Sequence, residues 1–303
     1  MSLLNTVVVK TLPYVPKSIV GQISKRYIAG PSLDDAVRVL KHLNANGMSG
    51  TVDLLGEDVH DELEASAIKD EWLRTIKAIH DQRLDSNISL KLSQLGVRID
   101  RELCYRNLQT VVDAARSVGN FVRIDMEDSS TTGDTLALYR RMREEGYKNV
   151  GVVIQAYLRR SEEDIHSLAK LKASFRLCKG IYIEPEAIAY RDREQVRRNY
   201  LVLLQTIIEN GCPVGIATHD EYIVDRAYEL IAHFRLPKDQ YEFQMLLGVR
   251  PELRDSIVRK GHRLRVYVPF GERWYPYSVR RLKENPQIAG YVMKAMLRLN
   301  GTT

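Results

Sequence analysis

Hydrophobic and polar positions alternate along most of the chain in a regular order of helical and strand-like segments. Leu33, Ala36 and Leu40 recur at the three- and four-residue spacing of a helix face that is buried. Ser32 and Asp35 match a capping box at the start of this helix. Short apolar runs follow at regular intervals, and nearly continuous runs are typical of parallel strands that are buried on both faces.

Eight such runs predict eight strands, each separated from the next by helical sequence. The predicted strands are 51–57, 88–94, 121–128, 150–157, 175–183, 213–220, 241–248 and 264–271. Eight alternating units favour an α/β fold of the closed (β/α)8 TIM-like barrel type. The alternative is an open doubly wound sheet, which more often has a glycine-rich turn after its first strand, and the chain has no GxGxxG motif.

The 303 residues are expected to form one barrel domain over 31–303, preceded by an N-terminal helical segment over 1–30. Pro13 and Pro16 interrupt that segment. Sequence beyond the last strand predicts a final helix, which lies over the C-terminal mouth of the barrel in this interpretation.

Charge and cysteine content exclude few classes of protein. The net charge of +6 could indicate nucleic acid or an anionic membrane, but 45 basic residues are interleaved with 39 acidic ones. This mixture favours an ordinary solvated surface and predicts no nucleic-acid partner. A basic binding module for DNA or membrane remains the alternative from another class. Three widely spaced cysteines and the lack of a long apolar run predict a reducing compartment and no membrane span.

Polar residues concentrate where the predicted strands end, which is where a barrel places its active site. They are Asp53, Glu57, Lys91, Arg123, Asp125, Gln155, Tyr157, Arg176, Lys179, Tyr182, Thr218, His219, Glu242, Gln244 and Tyr267. Any one of them could form a structural ion pair, but so many charges in one barrel mouth are costly unless they pair or bind a ligand. The seven histidines are scattered without an HxxxH or HExxH pattern, and no metal site is predicted.

The segment after the last strand has the clearest side-chain pattern. Tyr277, Arg280, Arg281 and Glu284 recur at helical spacing, so that Tyr277 shares a face with both arginines. Arginine side chains can bind a carboxylate through two parallel hydrogen bonds. The same run could also be a solvated helix face.

Eight motifs, in order, resemble the proline dehydrogenase family over about Asp53 to Glu284. They are KLSQL, RIDMED, VIQAY, RLCKGIY, ATHD, EFQML, RVYVPFG and YSVRRL. The length resembles that of the monofunctional bacterial form. The resemblance implies a cytoplasmic enzyme that begins proline catabolism by oxidising L-proline to Δ1-pyrroline-5-carboxylate. It also implies noncovalent FAD, hydride transfer to flavin N5, a membrane quinone as electron acceptor, and a peripheral contact with the inner face of the membrane.

The resemblance also implies a role for individual residues. Asp125, paired with Lys91, and Arg176, beside flavin N5, match catalytic positions. Substrate-binding positions are matched by Lys91, Tyr182, Leu246, Tyr267, Tyr277, Arg280 and Arg281. Cofactor contacts are matched by Met126, Gln155, Arg176, Lys179, Gly180, Ile181, Thr218, His219 and Glu284. Glu57 and Arg280 match a gate across the barrel mouth.

A barrel aldolase is the alternative enzyme. Lys91 or Lys179 could form a Schiff base with a carbonyl substrate. Such a lysine needs a lowered pKa, whereas an acid beside Lys91 would raise its pKa.

Overall fold

The computed structural model describes residues 20–21, 24–56, 58–275 and 277–279. Within these ranges eight parallel strands bond to one another in chain order and close into a barrel. The last strand pairs with the first from Ser49↔Arg265 to Leu54↔Phe270. This closure confirms the predicted (β/α)8 barrel and excludes the open sheet.

The strands and helices alternate as predicted. The strands are β1 (Ser49–Leu54), β2 (Ser86–Leu90), β3 (Val122–Ile124), β4 (Val150–Gln155), β5 (Phe175–Cys178), β6 (Val214–Ala217), β7 (Tyr241–Leu246) and β8 (Leu264–Phe270). The helices are α1 (Leu33–Ala45), α2 (Glu62–Asp81), α3 (Arg101–Ser117), α4 (Ser129–Glu144), α5 (Ser161–Ala169), α6 (Arg193–Glu209), α7 (Glu221–His233) and α8 (Pro251–Arg259). A short 3-10 helix, Leu92–Leu95, follows β2.

Polar side chains fix where several helices begin. The predicted capping box at Ser32 and Asp35 is present at α1. Asp61, Asp100 and Asp192 cap α2, α3 and α6 by accepting a hydrogen bond from a backbone N–H of the first turn. These bonds satisfy N–H groups that have no partner inside the helix, which stabilises each helix start by about 1 kcal/mol.

Several strands end earlier than the sequence predicted. β3 stops at Ile124, whereas the apolar run suggested a strand to 128, and β2 stops at Leu90. Beyond these points a side chain links the two loops. The Glu127 carboxylate accepts hydrogen bonds from the Ser93 N–H at 3.0 Å and from the Ser93 hydroxyl at 2.5 Å. The motif residues therefore lie on the loops at the barrel mouth.

Most of the predicted N-terminal helical segment lies outside the described residues. The part that is described joins the barrel: the N–H of Ala29 donates to Pro269 O at 2.9 Å, and the N–H of Gly271 donates to Gly30 O at 3.0 Å. Among the described helices none is long and apolar enough to cross a membrane.

The apolar core lies between the strands and the helices, and the barrel interior is mostly polar. Val52 of β1 and Trp72 of α2 are fully buried in that outer core. Alternate strand residues point inward, and two inward positions are glycines. A Cβ on Gly151 of β4 would overlap the Arg123 guanidinium and lie 2.7 Å from Ser174 O.

We expect Gly151→Ala to lower the free energy of unfolding by about 1–3 kcal/mol, because the added methyl group overpacks the barrel interior. Gly133→Ala is the matched control, since Gly133 lies in α4 with no atom within 4 Å of a Cβ. The control should gain up to about 1 kcal/mol from helix propensity. Urea unfolding of both variants measures the difference, and equal stability would contradict the overlap.

Candidate active site at the carboxyl ends of the strands

The Asp125 carboxylate, directly after β3, gathers side chains from three other strands. Its Oδ1 accepts bonds from Ser89 Oγ and Arg176 Nη1, both at 2.6 Å. Its Oδ2 accepts from the Tyr267 hydroxyl at 2.8 Å. Residues that are far apart in the sequence therefore converge on one carboxylate, as the strand-end pattern predicted.

Lys91 forms its ion pair with Asp53, at 2.5 Å, and not with Asp125 as the sequence analysis expected. Lys91 follows β2, which lies between β1 and β3, so acids on both neighbouring strands are within reach. Asp125 is already bound by Ser89, Arg176 and Tyr267. The strand-end pattern contains Asp53, but neither that pattern nor the family resemblance assigns Asp53 a role in the site.

The lysine stays protonated in this environment. Burial alone would lower the pKa of Lys91, but the carboxylates of Asp53 and Asp125 raise it above its ordinary value. A Schiff-base nucleophile requires the opposite shift, toward a neutral amine. The pKa of Lys91 therefore argues against the aldolase alternative and for a fixed positive charge.

Three of the residues predicted to contact a cofactor lie at the end of β4 and on the loops after β5 and β6. Gln155 Nε2 donates to Met126 O at 3.3 Å, and His219 Nε2 accepts from the Leu246 N–H at 2.8 Å. Gly180 has φ +100°, and a Cβ there would overlap the Tyr157 ring. Only glycine fits this close approach without strain.

Three buried polar atoms near these loops have no hydrogen-bond partner among the described protein atoms. They are Gln155 Oε1, Arg176 Nη2 and the Tyr157 hydroxyl. Buried polar groups are normally hydrogen-bonded, so these three atoms are candidates for contacts with a polar ligand. A separate, partly enclosed cavity of about 440 Å³ at the same end of the barrel is lined in part by Lys91, Tyr182 and Tyr277. The cavity brings three of the predicted substrate-binding residues together.

Two strand-end candidates lie deeper than the sequence suggested. Arg123 Nη1 donates to Ser174 O at 2.7 Å, just before the start of β5. Glu242 accepts from Arg265 Nε at 2.7 Å. Because both side chains are inside the barrel toward the amino ends of the strands, neither joins the Asp125 cluster.

Four predicted site residues lie outside the described residues: Glu57, Arg280, Arg281 and Glu284. The predicted gate and the two-arginine carboxylate site therefore stay predictions. In the rest of the chain that is described, no group of three or more His, Cys, Asp or Glu side chains could hold a metal ion.

Comparisons with known proteins identify the family to which the chain belongs. The family model for proline dehydrogenase matches residues 36–294. Proline dehydrogenase 1 of Bacillus subtilis (strain 168) is 38% identical over 275 residues, which cover 91% of each chain. Proline dehydrogenase of Deinococcus radiodurans is 35% identical over 280 residues, covering 91% of this chain and 90% of that protein. The chain belongs to the proline dehydrogenase family, as its motifs predicted, and that family consists of oxidoreductases.

A solved structure of a larger protein has the same fold. Proline utilization A (PutA) from Bdellovibrio bacteriovorus, inactivated by N-propargylglycine, aligns with a TM-score of 0.82 and 29% identity. The alignment covers 88% of this chain and 33% of that chain, so this chain spans about a third of the length of that protein.

Lys179, one of the residues predicted to contact a cofactor, forms an ion pair with Asp220, which also accepts bonds from Arg197 Nε at 2.7 Å and Nη2 at 3.0 Å. Burial alone would raise the pKa of Asp220, but Arg197 and Lys179 lower it from 3.8 to about 2. Two cations therefore stabilise the charge of Asp220, which lies directly before α7.

We expect the stability that Asp220 adds to be complete above about pH 4 and to disappear as the pH falls toward 2, because its pKa is lower in the folded state than in the unfolded state. The measurement is the difference in unfolding free energy between the wild type and Asp220→Asn from pH 6 to pH 2.5. Asp70→Asn is the exposed control. A difference that stays constant over this range would contradict the ion-pair assignment.

Proposed function

We propose that this chain oxidises L-proline to Δ1-pyrroline-5-carboxylate with noncovalently bound FAD and passes the electrons to a membrane quinone. Membership of the proline dehydrogenase family supports proline as the substrate. The observation that carries the proposal is a set of contacts at the carboxyl ends of the strands. Lys91 binds Asp53, and both Arg176 and Tyr267 bind Asp125. A fixed cation at that end suits a carboxylate substrate.

In this proposal Lys91 binds the carboxylate of proline together with Arg280 and Arg281. The walls around the pyrrolidine ring are Tyr182, Leu246, Tyr267 and Tyr277. These contacts hold the C5–H bond at a fixed distance from the hydride acceptor, which is how binding lowers the barrier to a transfer that needs no nucleophile. Glu57 and Arg280 act as the gate in the same proposal.

The positive charges also prepare the amine for reaction. Oxidation removes a hydride from C5 and a proton from nitrogen, and a C5=N double bond forms. A cation such as Lys91 disfavours a second positive charge nearby, so it lowers the pKa of the bound ammonium group. The neutral amine has the lone pair that forms the new double bond.

The unpaired atoms in the site fit a flavin. Gln155 Oε1 and Arg176 Nη2 are buried and have no partner within the part of the chain that the structure describes, and they offer an acceptor and a donor of the kinds that match the polar edge of an isoalloxazine ring. Gly180 adds no side chain to the loop after β5, where the Tyr157 ring lies close to the backbone. Met126, Lys179, Ile181, Thr218, His219 and Glu284 complete the proposed cofactor contacts. When bound, FAD supplies the acceptor for the hydride, and the protein supplies binding and orientation.

Asp125 and Arg176 are the proposed catalytic residues. Arg176 stabilises negative charge that develops near its guanidinium, and Asp125 holds that guanidinium in place at 2.6 Å. Both side chains are mostly buried, since 6% of the Arg176 side chain and 13% of the Asp125 side chain is exposed. Water therefore screens their interaction weakly. This preorganisation supports oxidation at the barrel mouth.

The quinone acceptor and a cytoplasmic location with peripheral membrane contact are further parts of the proposal. Ile183, in the loop after β5, is 99% exposed and Ile188 is 39% exposed. Such side chains give the loop an apolar surface that a quinone or a bilayer can contact.

The purified protein is expected to be yellow, with the absorption bands of an oxidised flavin, and to bleach when L-proline is added without oxygen. An anaerobic visible spectrum before and after the addition checks both expectations, with D-proline as the control. Colourless protein that binds no added FAD, or a bound flavin that L-proline does not reduce, would contradict the proposed function.

Lys91→Met is expected to raise the KM for L-proline about 10- to 100-fold with a smaller change in kcat, since a charged hydrogen bond to the carboxylate is lost. Steady-state kinetics check this. The double variant Asp53→Asn, Lys91→Met is the matched control, because it removes the acid that the single variant leaves buried without its ion pair. A KM within about twofold of the wild type in both variants would contradict the assignment of Lys91.

A further inference from the structure

Below Arg176, a chain of side-chain hydrogen bonds continues down the inside of the barrel. Arg176 Nε donates to Gln244 Oε1 at 2.5 Å, and Gln244 Nε2 donates to Glu242 Oε1 at 2.6 Å. Arg265 Nε donates to the same Glu242 oxygen at 2.7 Å, and its Nη1 donates to Gly50 O at 2.5 Å. The Arg176 guanidinium is therefore connected to the β-barrel wall at the opposite end.

The barrel has space for Gln244 because the neighbouring strand lacks a side chain at the facing position. Gly215 of β6 pairs with Glu242 in the sheet register. A Cβ on Gly215 would overlap the Gln244 amide nitrogen and lie 2.7 Å from its Cδ. The glutamine is 5% exposed, so its amide has few positions other than the one between Arg176 and Glu242.

The amide can bridge the two charged groups only in one orientation. Its oxygen accepts from the cation of Arg176, and its nitrogen donates to the anion of Glu242. Burial alone would raise the pKa of Glu242, but the charge of Arg265 lowers it, so the carboxylate stays ionised and fixes the direction of the amide. A charged acceptor also strengthens the hydrogen bond from the amide.

Two contacts on different nitrogens determine the plane of a guanidinium. Asp125 and Ser89 bind Nη1 of Arg176, at 2.6 Å and 2.8 Å, and Gln244 binds Nε. Nη2 is buried and has no partner among the described protein atoms. If the Nε contact were lost, the group could pivot about Nη1, and the direction of the Nη2 hydrogens would no longer be fixed.

We propose that Gln244, oriented by Glu242, is a positioning residue that fixes the plane of Arg176 and so directs Nη2 toward the bound flavin. This inference rests on the proposed function, since it assigns the unpaired Nη2 to the cofactor. Gln244 touches neither substrate nor cofactor in this scheme. It acts through Arg176, whose charge favours the reduced, more negative state of the ring.

The test compares purified holoenzymes of the wild type and Gln244→Met, which keeps the side-chain volume but cannot form either hydrogen bond. We expect kcat with L-proline to fall on the order of tenfold or more, because a hydrogen bond to a charged group is lost. KM should stay within about twofold. The flavin midpoint potential, measured by anaerobic dye-linked titration, should become more negative.

A variant that exchanges the amide at position 244 with the carboxylate at position 242 tests the orientation of the amide directly. Gln244→Glu combined with Glu242→Gln keeps the total charge and still provides an acceptor for Arg176 Nε, a donor between positions 242 and 244, and an acceptor for Arg265. Its potential should lie closer to that of the wild type than the potential of Gln244→Met does.

Asn149→Leu is the structural control. It removes amide hydrogen bonds of 3.0 Å and 3.3 Å just before β4, and should lower the free energy of unfolding without moving the flavin potential.

The outcomes separate this inference from the function on which it rests. A wild-type flavin that proline does not reduce would remove the proposed function before any variant is compared. An active wild type with an unchanged potential and kcat in Gln244→Met would overturn the inference alone. If Gln244→Met does not fold, Gln244→Asn replaces it, since a side chain shorter by one methylene cannot reach both partners. An unchanged potential in that variant would also overturn the inference.

Discussion

The ion pair between Asp125 and Arg176 is the interaction on which the site depends. The carboxylate follows β3 and the guanidinium lies on β5, while Ser89 of β2 and the hydroxyl of Tyr267 on β8 bind the same acid. Four strands therefore meet at one carboxylate. A buried acid or base left without its counterpart destabilises a protein by several kcal/mol, so each member of the cluster constrains the others.

This arrangement explains why the inside of the barrel differs from its outside. The apolar residues of the strands face the helices and form the main core, whereas inside the barrel Lys91, Arg176 and Arg265 each form an ion pair with an acid. Arg123 is the exception, because its guanidinium donates to backbone carbonyls and not to a carboxylate. Burial and the neighbouring Arg176 lower its pKa. Below the site, Arg265 is balanced by Glu242, and Arg123 adds a further positive charge. This excess favours anionic ligands at the mouth.

The sequence predicted the fold well because an eightfold alternation of apolar runs and helical spacing has few other solutions. It also identified Asp125, Arg176 and Tyr267 as strand-end residues, and the structure brings these three into contact. It could not predict the partner of Lys91, since Asp53 and Asp125 lie on the two strands that flank it and spacing along the chain does not distinguish them. It placed Arg123 and Glu242 too near the mouth, because depth in a barrel depends on strand register. The role inferred for Gln244 depends on a contact with a residue 68 positions away, to which no local pattern points.

The glycine at position 215 has a consequence for how this barrel can change during evolution. Its missing side chain and the long amide at position 244 occupy one shared volume. A larger residue at 215 is tolerated only after 244 has become smaller, and a smaller residue at 244 first leaves an arginine without one of its contacts. Substitutions at the two positions are therefore ordered in time, and drift at either one is slow unless both change together.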